Sequence, residues 1–312
     1  MTGATGGIGR TLVPVLAAQG AEVVASGRNA VIGQALEGTG VSFQPADLGC
    51  DDLHGLVRGV SCIVHLAARS SPWGAGPAFQ ADNVHATSRL LDAAAAAGVQ
   101  RFVYASTPTI FAERCHRLDL RGDALPAPQP VNAYARTKLA AERLILLDRR
   151  LATLVLRPSA VIGPDDRAIL PRLLRVLRRG ILPLGNSGTA LFHPTDVRDA
   201  AAAFAAGVFG SAEGVANIAG REPVRVIDMA HALAARLNLA VRIRHVPEKL
   251  LHALAATAEL WGLATGREPP LTRYTAATLS WSRTFDLSDA AALLDWRPAF
   301  GAAEALAHAL PS

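Results

Sequence analysis

Tyr134 and Lys138 are four residues apart in Tyr134-Ala135-Arg136-Thr137-Lys138, a spacing that puts a phenol and an ammonium on one face of a helix. A neighbouring cation favours the phenolate and is expected to lower a phenol pKa of about 10 toward the range useful for acid/base chemistry. The pairing is selective, because Lys138 and Lys249 are the only lysines among 31 basic residues. Against this stands the reading of a surface Tyr and Lys on an amphipathic helix.

Gly3-Ala4-Thr5-Gly6-Gly7-Ile8-Gly9 supplies a second chemical feature. Glycines three residues apart let a backbone turn tightly, approach a diphosphate and open a helix whose first amides face the anion. Gly3, Thr5, Gly6, Gly7, Ile8 and Gly9 are therefore candidate cofactor-binding residues. At the expected end of the second strand the chain reads Ser26-Gly27-Arg28-Asn29, with no acid before Glu37. An acid there binds the ribose hydroxyls of NAD, whereas a cation accommodates the extra phosphate of NADP. Arg28 thus favours NADP, with NAD as the alternative.

The elements that must position these groups follow from hydrophobic periodicity. Short β-branched runs at 22–25, 41–44, 62–66, 101–105 and 153–156 alternate with helical patterns near 7–19, 51–58, 79–97 and 133–148. That alternation predicts an α/β fold: a doubly wound parallel Rossmann-type sheet over residues 1–160, to which 192–220 returns. Pro and Gly punctuate the chain after Pro158, and helices predominate from Glu222. Residues 161–191 and 221–312 are expected to form a smaller, mainly helical substrate lobe. The glycine loop begins at Thr2, which leaves no residues for the strand that should precede it, so the start of the chain is expected to lie several residues late.

Composition narrows the classes. Half of the 312 residues are hydrophobic and 18% are charged, which predicts a folded globular protein. The net charge of +5 is carried by scattered arginines with no aromatic-interleaved basic patch, so nucleic acid is not an expected partner. Cys50, Cys62 and Cys115 form no pair at metal-ligand spacing, and their odd number points to a reducing compartment, the cytoplasm, with no metal. The apolar stretch 250–266 is interrupted by His252 and Glu259 and is too short to span a bilayer. It reads either as a helix lying on a membrane surface or as a wall over the substrate. Arg172, Arg175 and Arg179 make a basic helical face that is either solvated or set against an acidic substrate tail.

These pieces occur in the order found in extended short-chain dehydrogenase/reductases, the NAD-dependent epimerase/dehydratase superfamily, which the chain resembles along nearly its whole length. The matching segments are the 2–9 loop, Asp47-Leu48, His65-Leu66-Ala67-Ala68, Asn83, Tyr104-Ala105-Ser106-Thr107, the Tyr134/Lys138 pair and Leu156-Arg157-Pro158. The resemblance implies Asp47 and Leu48 against the adenine, Ala67 and Ala68 along the ribose and diphosphate, Asn83 and Lys138 at the cofactor, and Pro158 near the nicotinamide. It also implies that Thr107 hydrogen-bonds the reacting oxygen, with Ser106 as its neighbour. Ser70-Ser71-Pro72-Trp73-Gly74, Leu271-Thr272-Arg273-Tyr274 and Trp296-Arg297-Pro298 are similar to the 3β-hydroxysteroid dehydrogenase-like branch, and within it to 2-alkyl-3-oxoalkanoate reductases. Gly122 and Phe111-Ala112 depart from the Glu and Tyr-Gly common in such chains.

The expectation is reduction of a ketone on a small hydrophobic substrate, with Tyr134 as proton donor and a homodimer formed through the helices bearing Asn83 and Tyr134, as the resemblance implies. Dehydration is disfavoured, because Pro108-Thr109 stand where dehydratases of this type carry Asp-Glu. A nucleotide-sugar epimerase and a non-catalytic dinucleotide sensor remain as alternatives.

Overall fold

The computed structural model describes residues 1–166 and 169–310, apart from the side chain of residue 187. Its main sheet is parallel and contains β1 (Val23–Gly27), β2 (Val41–Pro45), β3 (Cys62–His65), β4 (Arg101–Ala105), β5 (Ala152–Pro158) and β6 (Gly214–Ile218). β1 pairs with β2, and separately the strands run β6-β5-β4-β3. The register matches Ala25 with Phe43, Val64 with Val103, Val103 with Leu154, and Leu154 with Gly214. β4 and β5 are buried along nearly their whole length, as parallel strands covered on both faces must be.

A single rung joins the two halves. Thr2 bridges Ser26 of β1 and His65 of β3 in parallel sense. The Thr2 amide donates to the Val64 carbonyl at 2.9 Å and the Ser26 amide to the Met1 carbonyl at 2.8 Å. Met1 and Thr2 therefore occupy the place where a full strand was expected to be lacking. Connections turn in opposite directions on either side of this rung, which makes it the switch point from which the glycine loop emerges.

Helices cover both faces. α1 (Gly7–Ala18) and α4 (Val197–Phe209) pack Leu12, Val13, Leu16 and Phe204 against one side. α2 (Ala86–Ala96) and α3 (Ala133–Leu147) pack Leu90, Leu91, Ala141 and Ile145 against the other. A separate cluster around Leu182, Leu184, Met229, Leu233 and Leu306 forms the core of the remaining lobe. This lobe also contains strands that periodicity did not indicate, among them Arg242–His245 paired in parallel with Ile181–Leu184. Its helices include α5 (Glu248–Thr265) and α6 (Arg273–Ser280), which pack on each other.

Two helical expectations need correction. The pattern at 51–58 yields only one turn, His54–Val57, because Asp51 and Asp52 turn their carboxylates onto the Asp47 and His54 amides instead of entering a helix. The pattern at 79–97 is interrupted: Gln80–His85 is π-helical between Gly76–Phe79 and α2. The widened turn contains Asn83.

Candidate active site

Asn132 starts α3 by accepting a hydrogen bond from the Ala135 amide at 2.8 Å. Tyr134, Lys138 and Glu142 then recur at four-residue intervals along one face. Lys138 is only 2% exposed; its Nζ donates to the Ala105 carbonyl at 2.5 Å and sits 3.9 Å from the centroid of the Tyr104 ring. Burial pushes it down to about 7, while the Glu142 carboxylate acts in the opposite direction. Glu142 is itself buried, ion-paired with Arg157 and accepting the Ser106 hydroxyl.

The phenol behaves differently from expectation. Burial raises Tyr134 to about 12, and the hydrogen bond from Thr107 only partly offsets this. Lys138 does not bring it down, because the ammonium turns toward Ala105 and the Tyr104 face. Tyr134 therefore holds its proton at neutral pH and is poised as an acid. Thr107 is buried just past the end of β4, where its Oγ1 accepts from the Thr109 amide at 3.2 Å and lies 3.0 Å from Thr109 Oγ1. With the Ser106 hydroxyl taken by Glu142, Thr107 is the hydroxyl paired with the phenol.

The glycine loop is shaped by close approach. Gly3 has φ of +71°, and a Cβ there would lie 2.6 Å from the Ala67 nitrogen; one on Gly9 would lie 2.4 Å from the Gly3 carbonyl oxygen. Gly6 opens α1 with no side-chain cap and no acid in the first turn, which leaves its amide end open to an anion. Thr5 rests against Gly27, where a Cβ would meet its Oγ1 at 2.8 Å. Arg28 follows and is exposed, while Glu37 is spent on the Phe43 amide at 3.1 Å. These features fit a dinucleotide: Gly3 to Gly9 would hold its diphosphate, Thr5 and Arg28 its adenosine ribose, and Lys138 its nicotinamide ribose.

Other expected residues sit at the same carboxyl edge in different capacities. Ala67 and Ala68 are partly exposed beside the loop. Leu48 is mostly buried in the core, with its carbonyl held by Arg89, and the Asp47 carboxylate caps the Gly49 amide. Ile8 packs onto the core beneath the loop, and Pro158 ends β5 opposite Ile218. Asn83 is fully buried and does not open onto the site. It clamps the Arg69 backbone, accepting from its amide at 2.7 Å and donating to its carbonyl at 3.2 Å, and it donates to Thr137 at 3.0 Å. Its side chain thus ties the loop after Ala68 to the catalytic helix.

His65 extends this tie. Its Nδ1 meets Thr2 Oγ1 at 2.7 Å and its Nε2 meets Thr87 Oγ1 at 2.8 Å, and burial pushes it down to about 3, so it is neutral. The Thr87 hydroxyl donates to the Asn83 carbonyl, which assigns the imidazole proton to Nε2.

The chain's departures have local reasons. A Cβ on Gly122 would fall 2.2 Å from the Val215 carbonyl oxygen, and the Gly122 carbonyl accepts from Arg157. Phe111 is buried with the Arg157 guanidinium 5.1 Å from its ring centroid. Glu142 escaped sequence reading, although its position four residues beyond Lys138 was the available signal. Arg172, part of the basic face read as either solvated or set against an acidic substrate tail, is ion-paired with Glu268.

Trp73 abuts Gly262 of α5, where a Cβ would meet its ring at 2.9 Å, and Tyr274 of α6 acts electrostatically on Tyr134.

Comparisons with known proteins agree with this arrangement. Residues 1–219 match the NAD dependent epimerase/dehydratase family. The chain is 33% identical over 312 residues to the uncharacterized protein YbjS of Escherichia coli (strain K12), covering 96% of this chain and 92% of the other. It is 31% identical over 304 residues to a 2-alkyl-3-oxoalkanoate reductase of Stenotrophomonas maltophilia (strain K279a), covering 93% and 91%. Among solved structures, MoeE5 in complex with UDP-glucuronic acid and NAD superposes with a TM-score of 0.76 at 28% identity, covering 98% of this chain and 95% of that one. The chain belongs to the NAD dependent epimerase/dehydratase family and is an enzyme of the extended short-chain dehydrogenase/reductase type.

Proposed function

We propose that this enzyme interconverts a ketone and a secondary alcohol on a hydrophobic substrate, using NADPH in preference to NADH. The observation that carries the reading is Tyr134, its phenol acted on by the Thr107 hydroxyl and placed one turn before buried Lys138 at the carboxyl edge of the sheet. When bound, the nicotinamide supplies the hydride in one direction and accepts it in the other.

The protein's own part is proton transfer. Tyr134, protonated at neutral pH, donates its Oη proton to the carbonyl oxygen as that oxygen gains charge. Thr107 offers a second hydroxyl to the same oxygen, and Lys138, one turn further along α3, would hold the nicotinamide ribose beside the phenol. Trp73 against α5 and Tyr274 on α6 bring aromatic surface toward this end of the chain, in keeping with a hydrophobic substrate. The resemblance to 2-alkyl-3-oxoalkanoate reductases supports a 3-oxoalkanoate-like or steroid-like compound. The preference for NADPH rests on exposed Arg28 and on Glu37 being held away by Phe43.

A second reading, nucleotide-sugar epimerisation, has the likeness to MoeE5 in its favour. The test is NADPH oxidation over a panel of 3-oxoalkanoates and oxosteroids, with Tyr134→Phe as control. Ketone-dependent oxidation lost in the variant supports the reductase. Near-normal turnover by the variant overturns the assignment, and conversion of UDP-sugars without net NADPH consumption supports the epimerase.

A further inference from the structure

α5 presents an uncharged apolar stripe to solvent. Leu250, Ala253, Leu254, Thr257, Leu260 and Trp261 recur every three or four residues, share one face, and are all exposed. Leu260 is 65% exposed and Trp261 48%. The opposite face is the packed one, with Leu251, His252, Ala255 and Gly262 buried. The apolar side of this helix therefore does not all go inward, as it would on a helix serving only the protein core.

Charge is segregated around the stripe. The two acids of α5 lie on the opposite side and are bound by arginines, Glu248 by Arg114 at 3.4 Å and Glu259 by Arg273 at 2.6 Å. Lys249 borders the stripe at its start. Arg242 and Arg244 precede the helix, and Arg267 follows its Gly266 C-cap. These four cations are exposed and form no ion pair with any described residue.

We propose that α5 is a membrane-docking helix that lies in the headgroup region of an anionic bilayer, with the Leu254/Trp261 face inserted and Lys249, Arg242, Arg244 and Arg267 on lipid phosphates. An apolar face edged by Lys249, with exposed Arg242, Arg244 and Arg267 in the segments at the two ends of the helix and the helix's own acids on its other side, is the complement of an anionic lipid surface. No helix among the described residues is long and apolar enough to cross a membrane, so the contact is peripheral. A second copy fits less well. Eighteen residues make a helix of about 27 Å, and its stripe alone covers about 300 Å², far below the roughly 800 Å² per partner of a stable interface. A two-fold contact would also set the same cations on both sides.

The placement has a consequence for the site. Gly262, on the buried side of α5, touches Trp73, and α6, packed on α5, carries Tyr274, which acts electrostatically on Tyr134. Docking through the stripe sets the wall of the catalytic cleft against the lipid phase, where an apolar substrate would be concentrated.

The experiment is flotation of the full chain with vesicles of phosphatidylcholine containing phosphatidylglycerol, and with pure phosphatidylcholine, comparing wild type with Leu254→Glu/Trp261→Glu. Wild type floats with the anionic vesicles and loses most binding at high salt; the double variant binds about tenfold less while retaining wild-type NADPH affinity. Bromine-labelled lipid quenches wild-type fluorescence but not that of Trp261→Phe. Failure of the wild type to float, equal flotation of the variant, or a dimer that Leu254→Glu splits overturns the proposal. Vesicle binding is read without turnover, so it stands or falls separately from the ketone reduction.

Discussion

Glu142 lies one helical turn beyond Lys138, and its carboxylate is the charge that raises a lysine which burial drives down to about 7. The same carboxylate neutralises buried Arg157 and takes the Ser106 hydroxyl. One acid thus keeps two cations and the end of β4 in place beneath Tyr134.

Glu142→Gln leaves Arg157 buried without a counter-charge, and removing one partner of such a pair costs about 3–5 kcal/mol. Urea unfolding measures this, and a loss below about 1 kcal/mol would show that the pair contributes little. The variant also removes the charge that raises Lys138. Catalysis that needs the ammonium is present below the Lys138 pKa and fades as pH rises through it. The alkaline limb of kcat/KM in Glu142→Gln therefore moves to lower pH than in wild type; an unmoved limb would separate Glu142 from the lysine. Because folding depresses Lys138 from 10.5 to about 7, the native state binds fewer protons than the unfolded chain across that window, and wild-type stability rises with pH there.

Gly3→Ala combines a positive φ with a Cβ 2.6 Å from the Ala67 nitrogen, a backbone atom that cannot swing aside. The expected cost is about 2–4 kcal/mol together with loss of dinucleotide binding. Calorimetric titration with NADPH and a melting curve read the two effects separately. A variant that binds NADPH normally would move the diphosphate away from this loop.

Arg28→Ala is expected to weaken NADPH by about tenfold while leaving NADH within about twofold, because only the 2′-phosphate distinguishes the two. An equal loss for both cofactors would mean that Arg28 shapes the loop rather than reading the phosphate.

Asp165 forms an ion pair with Arg10 in the first turn of α1, and its backbone oxygen lies 3.4 Å from where a Gly7 Cβ would be. A carboxylate here repels a diphosphate at the amide end of α1 and occupies a cation. Asp165→Asn is predicted to tighten NADPH binding severalfold, and weaker binding would make the pair a support of the loop instead.

The fold and the kind of enzyme were legible in the chain itself, because both leave their marks in short-range spacing. Tyr134 and Lys138 share a helical face whatever surrounds them, and alternating β-branched and helical patterns dictate a parallel sheet. The Gly3–Gly9 spacing marks a loop that must approach another backbone. Tertiary packing decided what spacing does not encode. The Tyr134 pKa rises rather than falls because burial outweighs the Thr107 hydroxyl, while the Lys138 ammonium is turned toward Ala105. Asn83 and His65 became braces between Thr2, Arg69 and Thr137, since their partners are distant in sequence. Glu142 acquired its role from Arg157 fifteen residues away on another element. The apolar run of α5, which read more readily as a buried or substrate-covering helix than as a surface one, was divided by the fold: Gly262 faces Trp73, and Leu254 and Trp261 face outward. Periodicity shows that a helix has an apolar side, but the direction of that side depends on what packs against the other.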